Sequence, residues 1–325
     1  MTPHSDANIY PWLIEHWSFF IQCLEQDRLA HALMIEGPVG SGKTALADAM
    51  MGKLLCSEHT AENDVGGCGQ CRSCKLLVGG AHPDRFDIQP LEMGKAIKID
   101  QVRGLIATLN LTTSISACKV AYIHPAESMT TAAANALLKS LEEPVGNAVL
   151  ILVCNDPGSL PVTIRSRCQS IHIHQPDNQL VLDWLNQTCE NSDEESRAAL
   201  AAAGGSPLRA AHYLSSPEQD SFARVREGLN TLISRPGSVS LISTELAALE
   251  SDYVWRWLSL CVAEAVKAQV AGKSLNWLPT VTGLQEKTLL QLQKRADQNR
   301  KMSASPVRGD LLLQDWLIRW AEQGI

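Results

Sequence analysis

The chain has no long apolar run. Hydrophobic residues fill 45% of its 325 positions, yet no stretch approaches the roughly 20 apolar residues that a bilayer-spanning helix needs. An excess of positive charge is missing too. Twenty-eight Lys and Arg stand against 35 Asp and Glu, a formal charge of −7, whereas a protein that grips nucleic acid by itself ordinarily carries a basic surplus. The opening residues MTPHSDANIYPW lack the basic and apolar regions of a secretory leader, which points to the cytoplasm. In that compartment thiols stay reduced, so the ten cysteines do not imply a disulfide framework. No internal repeat and no low-complexity tract is present. What remains is an ordinary globular composition with room for two or three domains.

Against these absences one stretch stands out: Gly37–Thr44, GPVGSGKT, placed between the apolar run His31–Ile35 and a helical pattern over 45–55. The pattern G-x(4)-G-K-[ST] between a strand and a helix is a phosphate loop. Gly37, Gly40 and Gly42 let backbone N–H groups turn inward, and the helix N-terminus adds partial positive charge. Lys43 reaches the outer phosphates and the Thr44 hydroxyl faces magnesium. An ordinary glycine turn is the bland alternative. Upstream, residues 9–29 read as an entry segment and a helix, with Trp17, Phe20, Leu24 and Ile21 on one face.

Cys56, Cys68, Cys71 and Cys74 form C-x(11)-C-x(2)-C-x(2)-C. Two residues between cysteines let successive thiolates converge on one ion, and four sulfurs close a tetrahedral shell, so the expected metal is a structural zinc. A redox C-x-x-C pair is the alternative, and it would leave two of the four unexplained. The other six cysteines read as small core residues.

A strand is expected at 85–88, then a helix over 98–111 with Val102, Leu105, Ile106 and Leu109 inward and Asp100 as N-cap. The next strand, Lys119–Ile123, arrives where an ATP-hydrolysing phosphate-loop protein places Asp-Glu, one acid for magnesium and one for the attacking water. Here His124 and Pro125 occupy those positions. Glu127 would have to swing back to replace them. Nucleotide binding without useful hydrolysis is the expectation.

A helix over 130–143 turns Ala134, Leu137, Leu138 and Leu141 inward and stops at Pro144. The strand 148–153 delivers Asn155 and Asp156 to the carboxyl edge of the sheet, where nucleotides bind in open α/β folds. Thr163–Cys168 and a last strand, 170–174, complete one parallel, doubly wound sheet. Pro176 marks a boundary. Residues 1–175 are expected to be the α/β domain, 176–216 a helical lid, and 217–325 an all-helical domain. Trp255, Leu258, Val262 and Val266 share a face there, and Leu311, Leu312, Trp316, Leu317 and Ile318 crowd the last helix. Five of the eight tryptophans fall in this last region, which suits either a bundle core or an oligomer interface.

Together, Arg28–Leu33, GPVGSGKT, the four-cysteine insert, Asn135–Pro144 and Ser166-Arg167-Cys168 resemble the clamp-loader branch of the AAA+ ATPases. The likeness is specific over 9–174 and weaker through 325. It implies an AAA+ (RecA-like) sheet with an inserted zinc module, a lid and a collar. Within the branch, the lost Asp-Glu resembles the stator subunit rather than the gamma/tau motors, which keep it. The resemblance implies a non-catalytic part of a DNA polymerase holoenzyme, a hetero-pentamer with gamma/tau and delta subunits that loads a sliding clamp on primed DNA. It makes Arg167 an arginine finger acting in trans, with Arg165 the lesser candidate and a surface salt bridge the bland alternative for Arg167. It makes Arg209 the lid arginine that senses nucleotide. ATP or ADP with magnesium would be bound in cis and not hydrolysed. A motor-type ATPase using Glu127 and a zinc-dependent DNA-binding module are the competing readings.

Overall fold

The computed structural model describes residues 9–58, 65–92, 94–143, 146–189, 191–215, 221–302 and 309–324. It divides into two compact units, Met1–Thr188 with Ser206–Leu208, and Cys189–Gly205 with Arg209–Ile325.

The first unit runs α1 (Ile14–Glu25), β1 (Ala32–Glu36), α2 (Lys43–Leu55), α3 (Arg72–Val78), β2 (Arg85–Ile88), α4 (Ile99–Leu109), β3 (Lys119–Ile123), α5 (Thr131–Glu142), β4 (Ala148–Cys154), α6 (Val162–Arg165), β5 (Gln169–His172) and α7 (Asn178–Cys189). The five strands form one sheet in the order β2-β3-β4-β1-β5. Each pairing is parallel. A sheet of this kind is covered on both faces, so its strands read as unbroken apolar runs. Strands β1 and β3 are buried at all five positions.

Side chains alternate between the two faces. Ala32, Met34, Ala121, Ile123, Leu150 and Leu152 face a core closed by Val102, Leu105 and Leu109 of α4 and Ala134, Leu137 and Leu141 of α5. Helix α2 packs against β1, β3 and β4. The switch in strand order falls at β1, between β4 and β5, and directs a ligand to the crevice beyond its carboxyl end.

Two expected boundaries shift. The cap of α4 is Lys98, whose backbone N–H donates to the Gln101 side chain at 3.0 Å, and Asp100 lies in the first turn instead. There Asp100 still favours the helix through its dipole. The last strand ends at His172, two residues short of expectation. Pro144, read as the stop for α5, lies outside the described residues.

The second unit contains α8 (Asp193–Ala202), α9 (Pro207–Leu214), α10 (Ser221–Ser234), α11 (Val239–Ala247), α12 (Ser251–Val270), α13 (Glu286–Met302) and α14 (Gly309–Ala321), with α9 beginning in the first unit. Trp255, Trp257, Trp316 and Trp320 are at most 2% exposed. Three of their indole N–H groups donate inside the unit: Trp257 to the Ala202 carbonyl (3.1 Å), Trp316 to Leu292 (2.9 Å) and Trp320 to Leu229 (2.9 Å). Buried in this way, the four tryptophans belong to the bundle core. Of the apolar residues that crowd α14, only part face the core. Leu313, Trp316, Leu317 and Trp320 point in at helical spacing, while Leu311 and Ile318 are exposed.

Candidate nucleotide and metal sites

The phosphate loop joins β1 to α2. Gly42, the residue before α2, has φ +92°, and a Cβ there would meet the Tyr10 ring at 2.7 Å. Only glycine fits both demands. Aromatic residues that the sequence reading passed over pin the loop. Trp12 donates its indole N–H to the Ser41 carbonyl (2.8 Å), stacks on Tyr10 (5.1 Å) and meets the edge of Trp184 (5.2 Å). On the other side, the Ser206 hydroxyl donates to the Val39 carbonyl (3.0 Å) and the Leu208 amide to Gly40 (3.2 Å).

Lys43 is 3% exposed, and its ammonium donates to the carbonyls of Gly37 (2.8 Å) and Pro38 (2.6 Å). These bonds hold the charge inside the loop's concavity, within reach of a phosphate. Thr44, next along α2, is exposed.

At the carboxyl end of β3 the chemistry differs. His124 stacks on Tyr122 (5.9 Å), and burial holds its imidazole below its usual pKa, with Lys43 pushing the same way. That position is therefore uncharged at neutral pH. Glu127 is engaged at the sheet edge. Its Oε1 accepts from both the backbone N–H (3.1 Å) and the side-chain amide (2.8 Å) of Asn155. Asn155 and Glu127 thus meet at the carboxyl edge, where one carboxylate is already bound to the residue expected to feel nucleotide.

The four cysteines come together as their spacing predicts. Their sulfurs all lie within 4.8 Å of one another, with Cys56–Cys71 and Cys68–Cys74 at 3.9 Å. For zinc–sulfur bonds of about 2.3 Å, a tetrahedron has edges of about 3.8 Å. The donor set therefore fits a closed four-thiolate shell that could hold a metal ion. Backbone amides point at the sulfurs: Cys68 N–H at Cys56 (3.4 Å), Cys71 at Cys68 (3.3 Å) and Cys74 at Cys71 (3.3 Å). Burial opposes ionisation of Cys71, but hydrogen bonds from Ser57 and the Cys74 amide outweigh it and bring the thiol down to about 6.

Between Cys71 and Cys74, Ser73 anchors this knuckle in a buried network that the sequence reading passed over. His82 Nδ1 accepts from the Asp84 amide (3.1 Å), so its proton sits on Nε2, facing Ser73 Oγ (2.6 Å) and Ser116 Oγ (3.2 Å). Both hydroxyls donate to the Leu55 carbonyl at the end of α2. Asp84 is fully buried and accepts three amides, from Ser114 (2.7 Å), Ile115 (2.9 Å) and Ser116 (2.9 Å). Burial would raise its pKa, yet those three donors lower it, so it stays ionised. His82-Pro83-Asp84, just ahead of β2, was the available signal.

Arg167 lies just beyond α6. Its guanidinium pairs with Glu142 Oε1 at 2.6 Å and donates to the Thr163 carbonyl at 3.1 Å. Both side chains are open to solvent, 36% and 52% exposed, and such pairs are worth about 0–1 kcal/mol. The arginine can leave for a better anion at small cost. Arg165 keeps its Nε buried without a partner. Arg209 belongs to the second unit, where Arg256, Arg300, Asp252 and Tyr253 act on its charge.

Comparison with known proteins covers nearly the whole chain. The sequence profile of the family described as "DNA polymerase III, delta subunit" matches residues 14–177. The DNA polymerase III subunit delta′ of Pseudomonas aeruginosa is 33% identical over 97% of this chain and 98% of its own length. The subunit of that name from Yersinia pestis is 33% identical over 96% of this chain and 95% of its own. Among solved structures, a gamma subunit-related protein of DNA polymerase III from Thermotoga maritima is 14% identical, covering 94% of this chain and 99% of its own, with a TM-score of 0.44. With full-length sequence similarity, an intact phosphate loop, a four-cysteine knuckle and a β3 that ends in His-Pro, this chain belongs to the DNA polymerase III subunit delta′ family.

Proposed function

We propose that the chain is the stator subunit of a clamp loader, a protein that holds nucleotide without hydrolysing it and contributes Arg167 to a neighbour's ATP site. One observation carries this reading: the phosphate loop is complete, while the strand end beside it presents a neutral His124 and a Glu127 already bound to Asn155. The loop residues Gly37, Gly40, Gly42, Lys43 and Thr44 would hold the phosphates of ATP or ADP with magnesium. Asn155 and Arg209 would sense them.

Cys56, Cys68, Cys71 and Cys74 would hold zinc in a structural role, since four thiolates leave no open position for substrate. Partners would be gamma/tau motors and a delta subunit in a cytoplasmic hetero-pentamer that places a sliding clamp on primed DNA. In this scheme residues 1–175 act as the nucleotide-holding domain, 176–216 as lid and 217–325 as collar. An arginine supplied in trans stabilises charge on the transferring phosphoryl group, so this chain's contribution to turnover would be read in its partners.

The test is ATP binding and turnover by the pure chain, then turnover of reconstituted gamma/tau and delta with and without it. Binding without turnover alone, and a large gain in the partners' turnover on adding the chain, are expected. Lys43-dependent turnover by the isolated chain would instead identify a motor. Metal analysis should return one zinc per chain, and none would end the four-thiolate assignment.

A further inference from the structure

Strand β1 ends on a charge. Glu36 is its last residue, directly before Gly37 of the phosphate loop, and its side chain is only 5% exposed. The strand order switches at β1, so this residue stands at the crevice to which the sheet directs a ligand. Parallel register sets Glu36 between Cys154 of β4 and His172 of β5. Neighbours in register turn their side chains to the same face. Cys154 offers the carboxylate no counter-charge. Burial, then the charge of Glu127, push its thiol up to about 12, and Glu36 adds to the same shift. The partner that the carboxylate finds is His172, whose Nε2–H donates to Glu36 Oε1 at 2.9 Å and whose own side chain is 64% exposed.

The chain just after β5 also seats the start of the loop. The Ile173 amide donates to the Glu36 carbonyl at 2.7 Å. A Cβ on Gly37 would run into the Ile173 carbonyl, so the two backbones lie in contact there. From α1, His16 donates its Nε2–H to the His172 carbonyl at 2.8 Å, and the His174 ring stacks on that of His172 at 6.3 Å. Residues 172–174 thus grip both the backbone and the side chain at the root of the loop. A buried carboxylate left without its donor costs more than the bond itself contributes.

We infer that His172 is a positioning residue for the phosphate loop: its Nε2–H holds the buried Glu36 carboxylate, and with it the backbone at Gly37, in the place from which the loop closes on a phosphate. The imidazole acts through Glu36 and not on the phosphate. What it supplies is a donor, which glutamine can imitate and alanine cannot. His172 stands on the edge strand with its ring toward solvent, so its removal opens no hole in the core and acts on the carboxylate. Only the expected change in affinity rests on the reading of GPVGSGKT as a nucleotide site. A change in the order of the loop needs no nucleotide.

The full-length chain is compared as wild type, His172→Ala, His172→Gln, the double variant Glu36→Leu with His172→Ala, and Lys43→Ala. Two quantities are read: backbone hydrogen exchange in the loop, with β3 as the internal reference, and ATP affinity by calorimetry. In His172→Ala the loop amides should exchange about tenfold faster and ATP should bind about tenfold more weakly, while β3 keeps its protection. His172→Gln should restore both. Glu36→Leu should restore loop protection in the His172→Ala background, because it removes the charge that needs a donor. Loop exchange unchanged in His172→Ala overturns the assignment, and so does a loss that His172→Gln fails to restore. Faster exchange spread evenly over loop and β3 overturns it too, since that reports the stability of the whole sheet. If the wild type binds no ATP, but the loop loosens in His172→Ala and tightens again in His172→Gln, the nucleotide reading falls and the role of His172 stands. ATP binding that needs Lys43 and ignores His172, with loop exchange also unchanged, keeps the nucleotide reading and removes the role of His172.

Discussion

Strands β1 and β3 lie in one parallel sheet and deliver their carboxyl ends to the same edge, separated only by β4. The segments at those two ends have diverged. After β1 comes a phosphate loop with every required glycine and a buried lysine aimed into it. After β3 come an uncharged histidine and a proline in place of two acids. Holding a phosphate and activating water against it are separate chemical tasks, and in this sheet they fall to two different strand ends.

The strongest way to break this comparison is at Arg167. Arg167→Ala should leave the fold intact and lower the partners' turnover in the reconstituted complex by roughly 10³-fold. Unchanged turnover would place the arginine's role at Glu142 alone. Next is the loop itself. Lys43→Ala should weaken ATP binding by about a hundredfold, close to 3 kcal/mol, with no turnover in either form. A nucleotide-dependent rate that disappears with Lys43 would mean an acid at the β3 end still works.

A smaller effect is expected at the strand end. Glu127→Gln replaces a charged acceptor of two Asn155 donors with a neutral one, and should cost about 1–2 kcal/mol in denaturant unfolding without changing partner turnover. The smallest effect is titration. Folded His124 has a pKa below its unfolded value, so the unfolded state takes up the proton first. Its share of stability is therefore full above pH 6.5 and falls as pH drops toward the lowered folded value. His124→Asn should flatten that part of the curve, and an unchanged acid limb would assign it to His82, whose pKa is lowered by burial in the same way.

Legibility differed between the two units for physical reasons. In the sheet, period and punctuation agree. Apolar strands, a glycine-rich turn and cysteines at metal spacing each specify local geometry, so the loop and the knuckle were readable residue by residue. Networks that join distant segments were not. Ser73 and Ser116 converge on the Leu55 carbonyl, with His82 meeting both hydroxyls, and Ser116 lies 61 residues from that carbonyl; no local pattern announces that meeting. Glu127 meets Asn155 in the same way, 28 residues apart. In α14 eight of 13 positions are apolar, more than one face can hold, so composition could not choose the face. Packing did, by placing Trp316 and Trp320 where their N–H groups find carbonyls.

Helix α2 has a further consequence. Its 13 residues span about 20 Å. One end carries Lys43, and the carbonyl of Leu55 at the other is clasped by Ser73 and Ser116. The helix is therefore a strut fixed at its far end by the cysteine knuckle, and any axial play it had there would appear undiminished at the phosphate loop. Remote from the phosphate loop in sequence, the knuckle acts as the foundation that keeps the loop still.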